Sequence, residues 1–149
     1  MAVGRAWLLA GGALSGLASL LHLACIVGGP DWYRFFGAGE PIARAAERGS
    51  PIPALLTLGI ATALAGMAAY AFSGANLIRP LPLLRTGLIA ITCGYLARGA
   101  MVFMPATFNR PDLSPGFMFW SSLIVLIYGL VHAFGLWLAW PSLHPRKSF

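Results

Sequence analysis

Four long apolar runs, each almost free of charge, govern what this chain can become. Ala6 to Val27 is twenty-two residues without a charge, and further runs cover about 53–72, 83–104 and 117–140. A helix rises about 1.5 Å per residue, so about 20 residues cross a hydrocarbon core about 30 Å thick. In lipid a single segment can satisfy its backbone polar groups internally only as a helix. The expected fold is therefore an all-α membrane protein. It is an antiparallel four-transmembrane-helix bundle over residues 1–149, one domain, with a short interfacial helix in the first outer loop. Composition agrees: 9% of residues are charged, against about 25% in an ordinary soluble domain. Mean hydropathy is +0.77. The first run is too long for the apolar part of a signal peptide and no small-x-small site follows it. His22, Leu23 and Ala24 before Cys25 make a poor lipoprotein cleavage box.

Small and polar residues recur at helical spacing in these runs. Gly11, Ser15, Ala18, Ser19, His22 and Cys25 share one face of the first. Between helices in lipid, close backbone approach is what gains contact, so such a stripe marks the packed side. Gly12 and Gly16 add a GxxxG pattern, read as packing within the chain before dimerisation. The second run offers Gly59, Thr62, Gly66 and Tyr70; the fourth offers Ser121, Val125, Tyr128, His132, Gly135 and Ala139. Pro80 and Pro82 separate the second and third runs, while Pro105 and Pro141 stop the third and fourth, because proline cannot continue a helix hydrogen-bond ladder. A short basic tail follows from Leu143.

Gly28 to Pro53 connects the first two runs and holds six of the fourteen charged residues and three of the four acids. It also packs Trp32, Tyr33, Phe35 and Phe36 into five positions. A connection this long is structured, functional or disordered, and four aromatics argue for structure. Gly28-Gly29-Pro30 turns the chain, Gly39-Glu40-Pro41 opens a short helix, and Gly49 ends it. Glu40 and Arg44 are four apart and Arg44 and Glu47 three, so ion pairs can form along it. Ile42, Ala45 and Ala46 give it an apolar side suited to the membrane interface.

The net charge of +6 comes from scattered single cations without a basic run, which excludes a nucleic-acid footprint and leaves topology determinants. With both termini inside, Arg5, Arg79, Arg85, Arg146 and Lys147 face the cytoplasm; Arg34, Arg44, Arg48, Arg98 and Arg110 lie on the other side. The tally is even, but Arg98 sits inside a run and long loops count less, so the balance tilts to termini in the cytoplasm. Trp7, Trp137 and Trp140 would then mark one interface, Trp32 and Trp120 the other. Arginine over lysine and abundant alanine and glycine have the look of a GC-rich bacterial gene. Cys25 and Cys93 form no CxxC and read as small buried residues.

Counting from the outer helix ends puts His22 and Arg98 at about 8 and 10 Å depth, beneath the first loop. Tyr95, Thr62 and Tyr128 fall near mid-membrane and His132 in the inner half. An arginine in a span is costly and usually faces a partner. Arg98 can snorkel to the interface, hold an anion, or pair with Glu40 or Asp31; Glu40 is preferred, because a helix starting at Pro41 fixes it. Two histidines about 14 Å apart along the membrane normal cannot share one haem iron, and no two of the three have metal-ligand spacing. No acid lies within a span, unlike proton-coupled exporters, and no GxSxG or phosphate loop occurs. No cofactor or metal is expected.

The segments HLACIVGGPDWYRFFGAGE, LPLLRTGLIAIT and SSLIVLIYGLVHA resemble a group of uncharacterised bacterial four-span inner-membrane proteins. The likeness covers nearly the whole chain and implies fold and location, with no activity, cofactor or partner to carry over. Chain length and span count are also similar to glutathione-dependent membrane transferases and DoxX-type proteins. The arginine and asparagine motif of the former is missing, and no motif of the latter is found.

Two functions follow as expectations. In the first, the protein binds a lipid, isoprenoid or quinone-like ligand in a pocket open to the outer leaflet, or acts as an accessory subunit. Trp32, Tyr33, Tyr95 and His22 would line the site, with Glu40 beside them and Arg98, Arg34 or Arg44 supplying head-group charge. In the alternative, an embedded enzyme uses His22 as acid and base, Glu40 to orient it, and Arg98 to stabilise an anion. Membrane lipids are the expected surroundings, with a second copy or a membrane protein as further partners.

Overall fold

The computed structural model describes residues 2–104, 109, 111 and 113–143. Pro105, Arg110, Arg146 and Lys147, which entered the reading above, lie outside the described residues. Six α-helices follow in order: α1 Ala2–Gly28, α2 Pro30–Phe35, α3 Glu40–Glu47, α4 Ile52–Gly74, α5 Leu84–Ala100 and α6 Pro115–Ala139. Single 3-10 turns extend α5 over Met101–Phe103 and α6 over Trp140–Ser142. Among the described residues there is no strand. α1, α4, α5 with its turn and α6 with its turn are each long and apolar enough to cross a membrane. Their outward faces carry Leu17, Leu20, Leu55, Leu56, Ile124 and Trp137, all exposed. A continuous apolar exterior of this kind suits lipid and would associate in water.

Local chemistry sets the breaks. Gly29 at φ 70° and Pro30 in the first turn of α2 reverse the chain after α1. α2 and α3 end alike. Gly37 at φ 72° lets Ala38 N–H reach the Tyr33 carbonyl at 2.8 Å, and Gly49 at φ 74° lets Ser50 N–H reach Ala45 at 3.0 Å. Both are glycine C-terminal caps that satisfy otherwise orphaned carbonyls. α6 is opened by Ser114, whose Oγ accepts from Phe117 N–H at 3.1 Å, and by Pro115 behind it. Between α4 and α5, Ser73 Oγ donates to the Arg79 carbonyl and accepts from Leu81 N–H.

α1 packs against both α4 and α6, and α5 packs chiefly against α6. Glycines set the spacing. Gly4 lies on Ala139, Gly11 on the His132 ring, Gly12 on Phe72, Gly99 on the Leu126 backbone, and Gly135 on Leu8. The GxxxG pair therefore serves packing inside the chain, Gly12 on Phe72 and Gly16 near Ala68. At the end nearest the termini, Leu8, Ala75, Leu88, Ala139 and Leu143 form a buried cluster. There Arg85 donates to the Trp140 and Leu143 carbonyls, each at 3.0 Å, and lies 4.5 Å over the Trp140 ring. At the other end Cys25, Tyr33 and Ala43 form a second cluster, so α2 and α3 are packed onto the end of α1.

Three expectations need correcting. On α4 the buried side is Thr57, Ala61, Ala68 and Ala71, while Gly59, Thr62 and Gly66 face outward. Both sides of that helix carry small residues, and the alanines suffice for approach to α1. On α6, Ser122 and Gly129 are buried where Ser121 and Tyr128 were expected. Gly129 admits Leu96 of α5 and Ser122 meets Arg98, whereas His132, Gly135 and Ala139 of the expected stripe are buried. Cys93 is exposed on α5; only Cys25 is buried.

Candidate functional site

The loop end is organised by Arg34. Its Nε and Nη2 donate to the two Glu40 oxygens at 2.9 and 3.2 Å, and Nη2 also donates to Glu47 at 2.7 Å. Nη1 reaches Asp31 only at 3.4 Å. Arg44 Nε donates to Glu40 at 2.9 Å. The fork of Arg34 thus ties α2 to both ends of α3, with the bidentate geometry that a guanidinium and a carboxylate favour. The hydrogen bonds from Arg34 and then Arg44 hold the Glu40 carboxyl down at about 2, and those to Glu40 and Glu47 push the Arg34 guanidinium up.

Beside this network Asp31, Trp32, Phe35 and Phe36 line a half-open hollow of about 410 Å³. Trp32 and Phe36 lie 5.7 Å apart between centroids, and Phe35 meets Phe36 edge-on at 4.9 Å. Phe35 is 77% exposed and Trp32 41%. Tyr33, on the opposite side of α2, is buried against Cys25 and Ala43 and serves as the peg that seats the loop. Among the described residues its Oη has no hydrogen-bond partner.

A polar ladder runs down the bundle. Ser19 Oγ donates to the Ala61 carbonyl at 2.8 Å, and Ser15 Oγ and Tyr95 Oη lie 2.9 Å apart. The Tyr95 ring lies tilted at 5.1 Å from His132 and meets Tyr128 edge-on at 5.8 Å. His132 Nδ1 is 2.8 Å from the Tyr128 carbonyl and His22 Nδ1 2.7 Å from Ala18. A carbonyl only accepts, so in both rings Nδ1 is the donor. His132 is fully buried, and its Nε2 has no partner among the described residues. Gly11, not His22, is level with His132; eleven residues of α1 put the two rings about 16 Å apart along the bundle.

Arg98 departs from expectation. Its Nη1 donates to Ser122 Oγ of α6 at 2.9 Å, and Glu40 is held by Arg34 and Arg44. The reason is reach. Arg34 precedes Glu40 by six residues, whereas close packing of Gly99 on the Leu126 backbone sets Arg98 against α6. Tyr95 likewise belongs to the mid-bundle ladder, not to the loop end. The structure brings Trp32, Arg34, Glu40 and Arg44 together, and among the described residues no hydrogen bond joins His22, Tyr95 or Arg98 to them. Sequence reading missed Ser122, although a serine pair opposite an intramembrane arginine was the available signal. It also missed that Asp31 is the loosely held acid.

The chain matches no family model, no curated protein and no solved structure.

Proposed function

We propose that the chain is a four-span antiparallel bundle of a bacterial inner membrane that holds an amphiphilic ligand, a lipid, isoprenoid or quinone-like molecule, in its outer-leaflet end. The observation that carries this reading is the hollow of Asp31, Trp32, Phe35 and Phe36, an aromatic recess on α2, which packs on the end of the apolar helix α1. The aromatic walls supply apolar contact at low entropic cost, and the neighbouring lipid-facing helix surfaces would take the chains. Opposite direction of α1 and α6 is supported by their register, since partners on α6 fall from Ala139 to Gly135 to His132 as α1 rises from Gly4 to Leu8 to Gly11. Exposed Trp32 and Phe35 at one end and Trp137 and Trp140 at the other suit two interfacial aromatic belts. The enzyme alternative has less support: His22 and Glu40, its acid–base pair, each have another partner.

Purification in mild detergent followed by lipid mass spectrometry tests the reading. Wild type should retain an amphiphile at near one per chain, and the double variant Trp32→Ala, Phe36→Ala should lose most of it. Wild type that carries no more than a membrane protein of similar size would overturn it. Orientation is tested separately: alkaline phosphatase fused after Phe149 should be inactive, and activity would invert the assignment of the outer leaflet.

A further inference from the structure

The charge of the loop end narrows the ligand. Three carboxylates, Asp31, Glu40 and Glu47, share two guanidiniums, Arg34 and Arg44. Arg48 enters no ion pair with them among the described residues. One negative charge is therefore left over. It falls on the acid held most weakly: the Asp31–Arg34 distance is 3.4 Å against 2.7–2.9 Å for the other pairs, and the Asp31 side chain is 94% exposed. Among the described residues, Asp31 is also the only charged one lining the aromatic hollow.

The rings are set at 44° for Trp32 against Phe36 and 85° for Phe35 against Phe36, so their faces look in different directions around one recess. Aromatic faces are electronegative, and a cation within about 6 Å of a ring centroid is attracted to them. An anionic head would meet repulsion from the carboxylate and the ring faces alike. A neutral head would cover Asp31 without replacing its water, which is unfavourable. Arg34 and Arg44, the cations expected to meet a head group, both donate to loop carboxylates, and neither lines the hollow, which takes its charge from Asp31.

We propose that the Asp31–Trp32–Phe35–Phe36 hollow binds the ammonium head of a zwitterionic membrane lipid. The proposal rests on the amphiphile reading above and specifies its head group. The ammonium sits among the rings with Asp31 as counter-charge, and the acyl chains continue along the lipid-facing helices. A lipid is the committed source because the hollow lies at the end of a surface that already faces hydrocarbon.

Native mass spectrometry of delipidated protein, titrated with phosphatidylethanolamine, phosphatidylcholine and phosphatidylglycerol of identical chains, tests this. Wild type should retain the two ammonium lipids at least about fivefold better than phosphatidylglycerol. Asp31→Asn, at a position exposed enough not to disturb folding, should bring the ratio to within about twofold, since only the weaker ring attraction remains. Trp32→Leu, which keeps apolar bulk, should also lower the ratio. Equal retention of all three lipids by wild type, or a ratio unmoved by Asp31→Asn, would overturn the ammonium assignment while leaving the amphiphile reading standing. Retention of none would overturn both. Free choline should not compete at concentrations where the lipids saturate; if it does, the source is a solute and the lipid assignment falls.

Discussion

Glu40 shows how a single carboxylate can hold a loop without being buried. It accepts from Arg34 through both oxygens and from Arg44 through one, across the joint between α2 and α3. In the folded loop it takes up a proton at about 2, against an ordinary value of 4.5. A carboxyl whose value is depressed on folding contributes stability above the ordinary value, and that contribution is lost as pH falls through the folded one. The loop should therefore have this support at neutral pH and lose it between about pH 4.5 and 2, while Tyr33 stays packed. A side-chain NMR titration in micelles should show Glu40 with a midpoint about 2, and Arg34→Gln should move it up toward the ordinary range. A Glu40 midpoint near the ordinary range in wild type would mean that the network does not persist in solution. The network also explains why Arg98 finds its partner elsewhere. Its Nη1 donates to Ser122, a polar group on a neighbouring helix, which meets the need of an intramembrane guanidinium without a loop acid.

Helices differ in how much of them could be read in advance. α3 was legible from Gly39, Pro41 and Gly49, because those residues have few other uses. α2 was not, since six residues without a side-chain cap hold a helix only through tertiary contacts, here those of Tyr33. The four long helices were legible from length and hydropathy alone, but their faces were less so. α1 largely matched its stripe, with Gly11, Ser15, Ser19 and Cys25 buried. α4 presented its alanines instead of its glycines, because in lipid either permits approach. Of the site, the aromatic cluster and the Glu40–Arg44 pair were visible from spacing, whereas the Arg34 fork depends on a turn between two helices that no periodicity encodes. A Cβ on Gly99 would meet Leu126 backbone atoms at 2.6 Å or closer, whereas Gly59 and Gly66 have open space. Gly99→Ala should thus cost about 1–3 kcal/mol through overpacking. Gly66→Ala should be neutral or stabilising by up to about 1 kcal/mol, from helix propensity. Thermal denaturation in one detergent decides; equal losses at both positions would refute the assigned faces.

At the scale of the molecule, α1 is the member that touches the others in turn. Position by position toward its N-terminus, Ser19 engages Ala61 of α4, Ser15 engages Tyr95 of α5, and Gly11 receives His132 of α6. Gly12 and Leu8 meet Phe72 and Gly74 of α4 as well, so α4 lies along α1 while α5 and α6 add to it at Ser15 and Gly11. That order bears on biosynthesis. As the ribosome delivers the helices, α4 can meet α1 from Ser19 to Leu8, and the face at Gly4 and Gly11 waits for α6. The glycine shelf at Gly4 and Gly11 receives Ala139 and His132 of α6, the last helix to arrive. A chain cut before Ser114 and expressed as two pieces should therefore reassemble, with α6 recovered on the larger piece, and Gly11→Leu should abolish that recovery. Pieces that stay apart would mean that tethering, and not the shelf, guides the final helix home.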